Sequence, residues 1–139
     1  MRPLYRKIIV GLSLEHGISE SALEIARALR AEGGEIIALH AYEPVQSSVR
    51  AYLDEEVVEG AYSRAQALLV ERVKGAPDVT PVMLRGHSGR AITDYAEKHG
   101  ADCIIVGSHK PGLSDFLLGS TAARVVRHAP CAVHVHVLR

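Results

Sequence analysis

A glycine-rich segment towards the C-terminal end of the chain holds the residue types that best suit phosphate binding. Gly107 follows an apolar run, Gly112 lies mid-segment, and Gly119 comes just before Ser120. Because Ser120 opens a helical pattern, unpaired backbone N–H groups and the positive end of a helix dipole are expected there. Glycine lets an anion approach the backbone closely, and the serine hydroxyl adds a donor. The pattern predicts a site for phosphate oxygens.

The same segment is a locally basic stretch in a chain that is neutral as a whole. His109 and Lys110 lie within it, and the nearest acidic residue is Asp115. A second interpretation stays open from the residues alone. Glycines after strands and before helices are ordinary turn residues, and Ser120 would serve equally well as a helix N-cap.

The elements that would position this segment alternate along the chain, because the hydrophobic period switches repeatedly. Strands are predicted at Lys7–Leu12, Glu35–Tyr42, Val79–Leu84, Asp102–Val106 and Cys131–Val137. Helices are predicted at Ser19–Arg30, at Val49–Lys74, from an N-cap at Ser88 to a stop at Gly100, and at Thr121–His128. This β-α-β-α-β-α-β-α-β order predicts an α/β fold, an open parallel sheet with helices on both faces, in one domain over residues 1–139.

Ligands of open parallel sheets bind beyond the carboxyl ends of the strands, where the strand order reverses. The first predicted strand is followed by Ser13, and the second ends near Ala41 and Glu43. The fourth runs directly into Gly107. The loops after these three strands are therefore the predicted walls of the binding site.

The segment VGSHKPGLSDFLLGSTAARVVRHAPCAVHVH resembles the C-terminal signature of the universal stress protein family. ATP-binding members of that family carry Gly, two residues, Gly, nine residues, Gly and then Ser or Thr. The matches to LLGS and RHAPCAV are close. KIIVGLS, ALHAYEP and GHSGRAITDYAEKHGADCIIVGSH extend the resemblance over the whole chain.

The resemblance implies a Rossmann-like, five-stranded parallel sheet in the order 3-2-1-4-5. It also implies that ATP lies across the ends of strands one and four. Whether Mg²⁺ or Mn²⁺ accompanies the nucleotide stays open from the sequence. Adenine and ribose would contact Gly11, Ser13, Ala41 and Val106. The phosphates would contact Gly107, His109, Lys110, Gly112, Gly119, Ser120 and Thr121.

The sequence departs from the family pattern at two places. The loop is one residue shorter, and Lys110 stands where a glycine is expected, as in the F/G-type branch, which keeps LLGS. Ser13 occupies the position of an Asp that contacts adenine or ribose in ATP-binding members. Because a neutral hydrogen bond contributes only about 1 kcal/mol, this change bears on affinity and base selectivity.

Composition excludes several classes of function. Sixteen basic and sixteen acidic residues leave no net charge to attract nucleic acid or an anionic membrane surface. No apolar run reaches the roughly 18 to 20 residues that span a bilayer, so a cytoplasmic protein is expected. Cys103 and Cys131 are expected to be reduced structural thiols. The GxxxxGK[ST] sequence of the P-loop does not occur.

The last predicted strand alternates two side-chain faces. Val133, Val135 and Val137 share one face, and this edge strand is expected to pair with its copy in a homodimer, as the resemblance also implies. His134 and His136 share the other. They are interpreted as interface histidines rather than as a zinc or copper site.

The sequence therefore predicts an ATP-binding regulatory protein of the stress response, without fast turnover. One alternative is a nucleotide-independent module that regulates a protein partner such as a transporter, which the missing Asp at Ser13 motivates. Another is a slow ATPase or an autophosphorylating protein. Glu15 and His16, next to the predicted site, have side chains that could serve as a general base. The favoured interpretation is that they are a solvated pair of loop residues.

Overall fold

The central strand of the sheet forms where the chain carries its most continuous apolar run. In this computed structural model, which describes residues 4–12, 20–44, 46–108 and 118–137, β1 spans Tyr5–Gly11. Ile8, Ile9 and Val10 are at most 1% exposed, since both faces of the strand are covered. Burial on both faces is what a parallel sheet with helices on each side requires.

The other elements follow in the predicted alternation. The strands are β2 (Arg30–Tyr42), β3 (Val79–Arg85), β4 (Cys103–Gly107) and β5 (Ala132–His136). The helices are α1 (Glu20–Leu29), α2 (Ser47–Arg50), α3 (Glu55–Arg72), α4 (Ser88–His99) and α5 (Ser120–His128). The described residues form a five-stranded sheet in the order β3-β2-β1-β4-β5, with every pairing parallel. The predicted fold class and strand order are confirmed.

Two apolar clusters cover the two faces of this sheet. Ile8 and Val10 of β1 pack with residues of α1 and α3, including Leu23 and Leu69. Ile9 points the other way, into a cluster built from α4 and α5. Helices α4 and α5 therefore lie side by side on one face of the sheet, and both begin after a carboxyl end of a strand.

The long helix predicted over Val49–Lys74 is wrong near its start, where residues 51–54 interrupt it. The chain forms the short α2, turns over residues 51–53, and starts again at Glu55. Asp54 is the N-cap of α3, and its carboxylate accepts a hydrogen bond from the Glu56 N–H at 3.0 Å. A capping carboxylate stabilises a helix start, and this interaction outweighs the helical pattern of the preceding residues.

The predicted N-cap at Ser88 is also wrong, because His87 occupies that position and Ser88 is the first residue of α4. The predicted stop at Gly100 is confirmed. Gly100 has a φ of +66°, a left-handed conformation that glycine adopts without a steric penalty. The second strand starts at Arg30 rather than Glu35, because Arg30 pairs with Tyr5 before the register shifts.

An ion pair near the start of β3 predicts a pH-dependent part of the stability. Arg27 donates two hydrogen bonds of 2.9 Å to the Asp78 carboxylate, and this contact lowers the pKa of Asp78 from 3.8 to about 2. Asp78→Asn is expected to lower the free energy of unfolding by about 0.5 to 1 kcal/mol at neutral pH, since both side chains are about one-third exposed. Urea denaturation over a pH series measures this loss.

The sign of the pH effect follows from the direction of the shift. A lowered pKa in the folded state stabilises the fold above the unfolded pKa, and this contribution is lost as the pH falls from 3.8 towards 2. The gap between wild type and Asp78→Asn should therefore close over that window. Asp94→Asn is the control, because the Arg90–Asp94 pair is about 70% exposed and 3.8 Å apart. A gap that stays constant with pH would contradict the assignment.

Candidate functional site

The strand order reverses between β1 and β4, so a crevice is expected at their carboxyl ends. Asp102 holds the two strands together at their other end, where its carboxylate accepts hydrogen bonds from the N–H groups of Arg6 and Lys7 at 2.8 and 3.0 Å. At the carboxyl ends, a Cβ placed on Gly11 would lie 3.4 Å from Val106 Cγ1. Two of the predicted adenine and ribose contacts, from different strands, are therefore neighbours.

The strand on the other side of β1 contributes Ala41, which is 8% exposed near the carboxyl end of β2. The chain leaving β1 is tied to this strand by two hydrogen bonds. The Leu12 N–H donates to the Leu39 carbonyl at 3.0 Å, and His40 Nδ1 lies 2.9 Å from the Leu12 carbonyl oxygen. Because a carbonyl only accepts, Nδ1 carries the proton in this contact. Sequence reasoning missed His40. The one sequence feature that marks it is that a polar residue lies within an otherwise apolar strand.

The two ends of the glycine-rich segment, at Ser108 and Gly119, are joined by a hydrogen bond. The Gly119 N–H donates to the Ser108 carbonyl at 2.7 Å, and the Ser108 N–H donates to the His136 carbonyl at 2.8 Å. These bonds fix the start of α5 directly beside the ends of β4 and β5. They also occupy the Gly119 amide, so the donors available to an anion begin one residue later, at Ser120.

The first turn of α5 presents the groups that bind anions. Gly119 is its N-cap and brings no capping side chain, Ser120 is exposed, and no acidic residue lies in the turn. The N–H groups of Ser120, Thr121 and Ala122 have no backbone acceptor among the described residues. Amides without a backbone acceptor among the described residues, at a helix start with no acid in its first turn, favour a positive potential at this position.

A second helix start lies against the first. Helix α4 has no side-chain cap bond at His87 and no acidic residue in its first turn. The Ser88 Oγ lies 2.7 Å from the Thr121 Oγ1, so the first turns of α4 and α5 are in direct contact. Helices α1 and α3 differ, because each carries Glu in its first turn. Acid-free first turns are thus found at α4 and α5, which are in contact, and also at the four-residue helix α2.

Part of the predicted site lies outside the described residues. This holds for Ser13, His109, Lys110 and Gly112, and also for Glu15 and His16. The described ones fall into two groups. The first group lies at the ends of β1, β2 and β4 and consists of Gly11, Ala41 and Val106. The second group lies at the end of β4 and the start of α5 and consists of Gly107, Gly119, Ser120 and Thr121.

The two cysteines are free thiols. Burial raises the pKa of the Cys103 thiol to about 11 and also raises the pKa of the Cys131 thiol. Cys103 packs in the cluster beneath α1, and Cys131 packs in the cluster on the opposite face. Because the thiolate is the reactive form, both side chains have the chemistry of structural residues at neutral pH.

Other features of the surface do not overlap the predicted site. A polar cleft of about 160 Å³ lies between α1 and the end of α3, with Arg27 and Arg72 in its lining and none of the predicted site residues. No group of three or more potential metal ligands occurs within the described part of the chain. Within the same residues, the helices are too short or too polar to cross a bilayer.

Comparison with known proteins agrees with this architecture. The family model described as "Universal stress protein family" matches residues 4–136. A Thermus aquaticus protein, "Universal stress protein in QAH/OAS sulfhydrylase 3'region", is 31% identical over 86% of this chain and 88% of its own length. The solved UspA of Lactobacillus plantarum is 23% identical, with a TM-score of 0.70, over 100% of this chain and 99% of that one.

Another solved universal stress protein is in complex with cAMP. It is 28% identical to this chain, with a TM-score of 0.56, and the match covers 97% of this chain and 98% of that one. A parallel sheet in the order 3-2-1-4-5, with a helix start tied to the end of its fourth strand, defines a Rossmann-like α/β protein. The chain belongs to the universal stress protein family.

Proposed function

We infer that this protein binds ATP across the carboxyl ends of β1 and β4 and acts as a regulatory protein of the stress response. The observation that carries the proposal is the first turn of α5, which has no acidic residue and whose amides have no backbone acceptor in the described part of the chain, with the Ser120 and Thr121 hydroxyls beside them. A chain of phosphates carries the charge that such a turn binds best. The cAMP complex of a 28% identical relative supports an adenine nucleotide as the ligand.

In the proposed complex, different residues contact different parts of the nucleotide. Gly11, Ala41 and Val106 would contact adenine and ribose, since they are apolar or lack a side chain and lie along adjoining strand ends. The phosphates would lie over Ser120 and Thr121. The Gly119 N–H is already bonded to the Ser108 carbonyl, so Gly119 would contribute only by leaving room for the phosphates, since it has no side chain.

An ATP titration by calorimetry tests the proposal, with mass spectrometry of the natively purified protein to detect nucleotide that copurifies. Saturable binding of ATP is expected, and it should weaken with Gly119→Lys, whose long side chain would fill the space at the buried N-cap. Gly60→Lys, at a partly buried position of α3 outside the predicted site, is the matched control. An absence of binding at millimolar ATP, together with no copurified nucleotide, would refute the assignment.

Two partner predictions stay open to experiment. Pairing of two copies through β5 remains a prediction. Strand β5 lies at one edge of the sheet, Val133 and Val135 pack in part against the core of their own chain, and Val137 is 56% exposed.

A nucleotide-independent role would be favoured if a protein partner were captured equally well by wild type and by Gly119→Lys.

A further inference from the structure

The contact between Ser88 and Thr121 joins two helices that are far apart in sequence. Ser88 is the first residue of α4, and Thr121 is the second residue of α5. Their hydroxyl oxygens lie 2.7 Å apart, the usual distance of an O–H···O hydrogen bond, and both side chains are partly buried. Thr121 is a predicted phosphate contact, whereas Ser88 was predicted only as a helix cap.

Two hydroxyls in contact have two protons but share only one of them. When Ser88 donates to the Thr121 oxygen, the proton on Thr121 is left to donate elsewhere. An anion above the first turn of α5 favours this direction, because the Thr121 proton can then point at a negatively charged oxygen. A hydroxyl that accepts one hydrogen bond is polarised and becomes a better donor in the next.

Ser88 is held in place from both sides. Before it, the Gly86 N–H donates to the Tyr42 carbonyl at 2.9 Å, which ties the approach to α4 to the end of β2. After it, Gly89 is buried against Arg124 of α5, and a Cβ at Gly89 would lie only 2.9 Å from the Arg124 Cβ. Such fixing on both sides keeps the Ser88 hydroxyl in position before a ligand arrives.

We propose that Ser88 is a positioning residue for phosphate binding, which acts by directing the Thr121 hydroxyl proton towards a phosphate oxygen. The inference rests on the proposed binding of ATP. It adds a residue from the start of α4 to a site otherwise built from the ends of β1, β2 and β4 and the start of α5. Ser88 itself does not contact the nucleotide.

The test compares ATP with adenosine, which lacks phosphates. Ser88→Ala is expected to weaken ATP binding about fivefold, the loss for one hydrogen bond, and to leave adenosine binding unchanged. Ser88→Thr restores the hydroxyl and should recover most of the ATP affinity. Calorimetric titration of the wild type and both variants with both ligands gives the six dissociation constants needed.

A double-mutant cycle separates an action through Thr121 from an independent one. Thr121→Val keeps the shape of the side chain and removes its hydroxyl, and should weaken ATP binding about tenfold, since its partner is charged. In that background Ser88→Ala should have no further effect. Additive losses, or an equal loss of ATP and adenosine binding in Ser88→Ala, would overturn the positioning role.

The same titrations separate this inference from the proposed function. If the wild type binds neither ATP nor adenosine, the nucleotide assignment fails and the positioning role falls with it. If the wild type binds ATP and Ser88→Ala binds it equally well, the function stands and the role of Ser88 alone is refuted.

Discussion

Ser120→Asp is expected to weaken ATP binding by at least about tenfold while leaving the fold as stable as the wild type or slightly more stable. Ser120 is the exposed first residue of α5, so a carboxylate there meets the positive end of the helix dipole, an interaction worth roughly 0.3 to 1 kcal/mol. The same carboxylate would lie a few ångströms from the phosphates. At an effective dielectric constant of about 20, two unit charges that close repel by a few kcal/mol.

The opposite signs of the two effects make this prediction specific. Most substitutions that damage a site also destabilise the protein, whereas this one should separate affinity from stability. Thermal unfolding without ligand and titration with ATP measure the two quantities on the same sample. Raising the salt concentration should shrink the loss of affinity, because screening weakens repulsion between exposed charges.

Ser120→Asn is the matched control, since it has nearly the shape of Asp and no charge. It should lose much less ATP affinity than Ser120→Asp, and the difference between them isolates the electrostatic part. If both variants bind ATP as tightly as the wild type, the phosphates do not lie over the first turn of α5. The fold and the family membership would be unaffected by that outcome.

Gly89→Val is expected to lower the free energy of unfolding by about 3 kcal/mol. Gly89 is buried where α4 crosses α5, and a Cβ there would lie 2.9 Å from the Arg124 Cβ and 3.0 Å from its Cδ. The Arg124 Cβ cannot swing away as the end of a flexible side chain can, so the two helices must separate. Overpacking of this kind costs about 1 to 3 kcal/mol, and the two further methyl groups of Val place it at the upper end.

Gly60→Val in α3 provides the comparison, because a Cβ at Gly60 would meet only the Arg64 Nη1, at 3.3 Å. That atom is the mobile end of a long side chain. Valine is a slightly better helix former than glycine, so this variant should unfold within about 0.5 kcal/mol of the wild type. Chemical denaturation of both variants gives the contrast, and equal losses at the two glycines would contradict the close crossing of α4 and α5.

The separation of α4 from α5 in Gly89→Val should also change the geometry of the proposed binding site. Ser88 is the neighbour of Gly89, so the 2.7 Å contact between Ser88 and Thr121 would lengthen with the helices. The proposed phosphate turn would then lose its support from α4. Gly89→Val should therefore weaken ATP binding under conditions in which it is still folded, and Gly60→Val should not.

Apart from the start of β2, which lies five residues before its predicted position, the strand bounds could be predicted to within two residues from the sequence. The apolar run at Cys103–Val106 and the turn residues around it allow one interpretation, and β4 and β5 each lie within one residue of their predicted bounds. The long helical pattern from residue 49 to residue 74 was misleading. Helical propensity there is continuous, and the second helix starts where the Asp54 carboxylate accepts a hydrogen bond from the Glu56 N–H.

The sequence by itself determined the parallel sheet, because alternating buried runs are patterns local to the chain. The strand order and the family followed from the resemblance of its glycine-rich segment and flanking motifs to universal stress proteins. Only the tertiary structure decided how the site is assembled. The Gly119 amide bonds to Ser108, and Ser88 meets Thr121 from 33 residues away. Such contacts form when α4 and α5 pack on one face of the sheet, and no local spacing of residues encodes which hydroxyls that packing brings together.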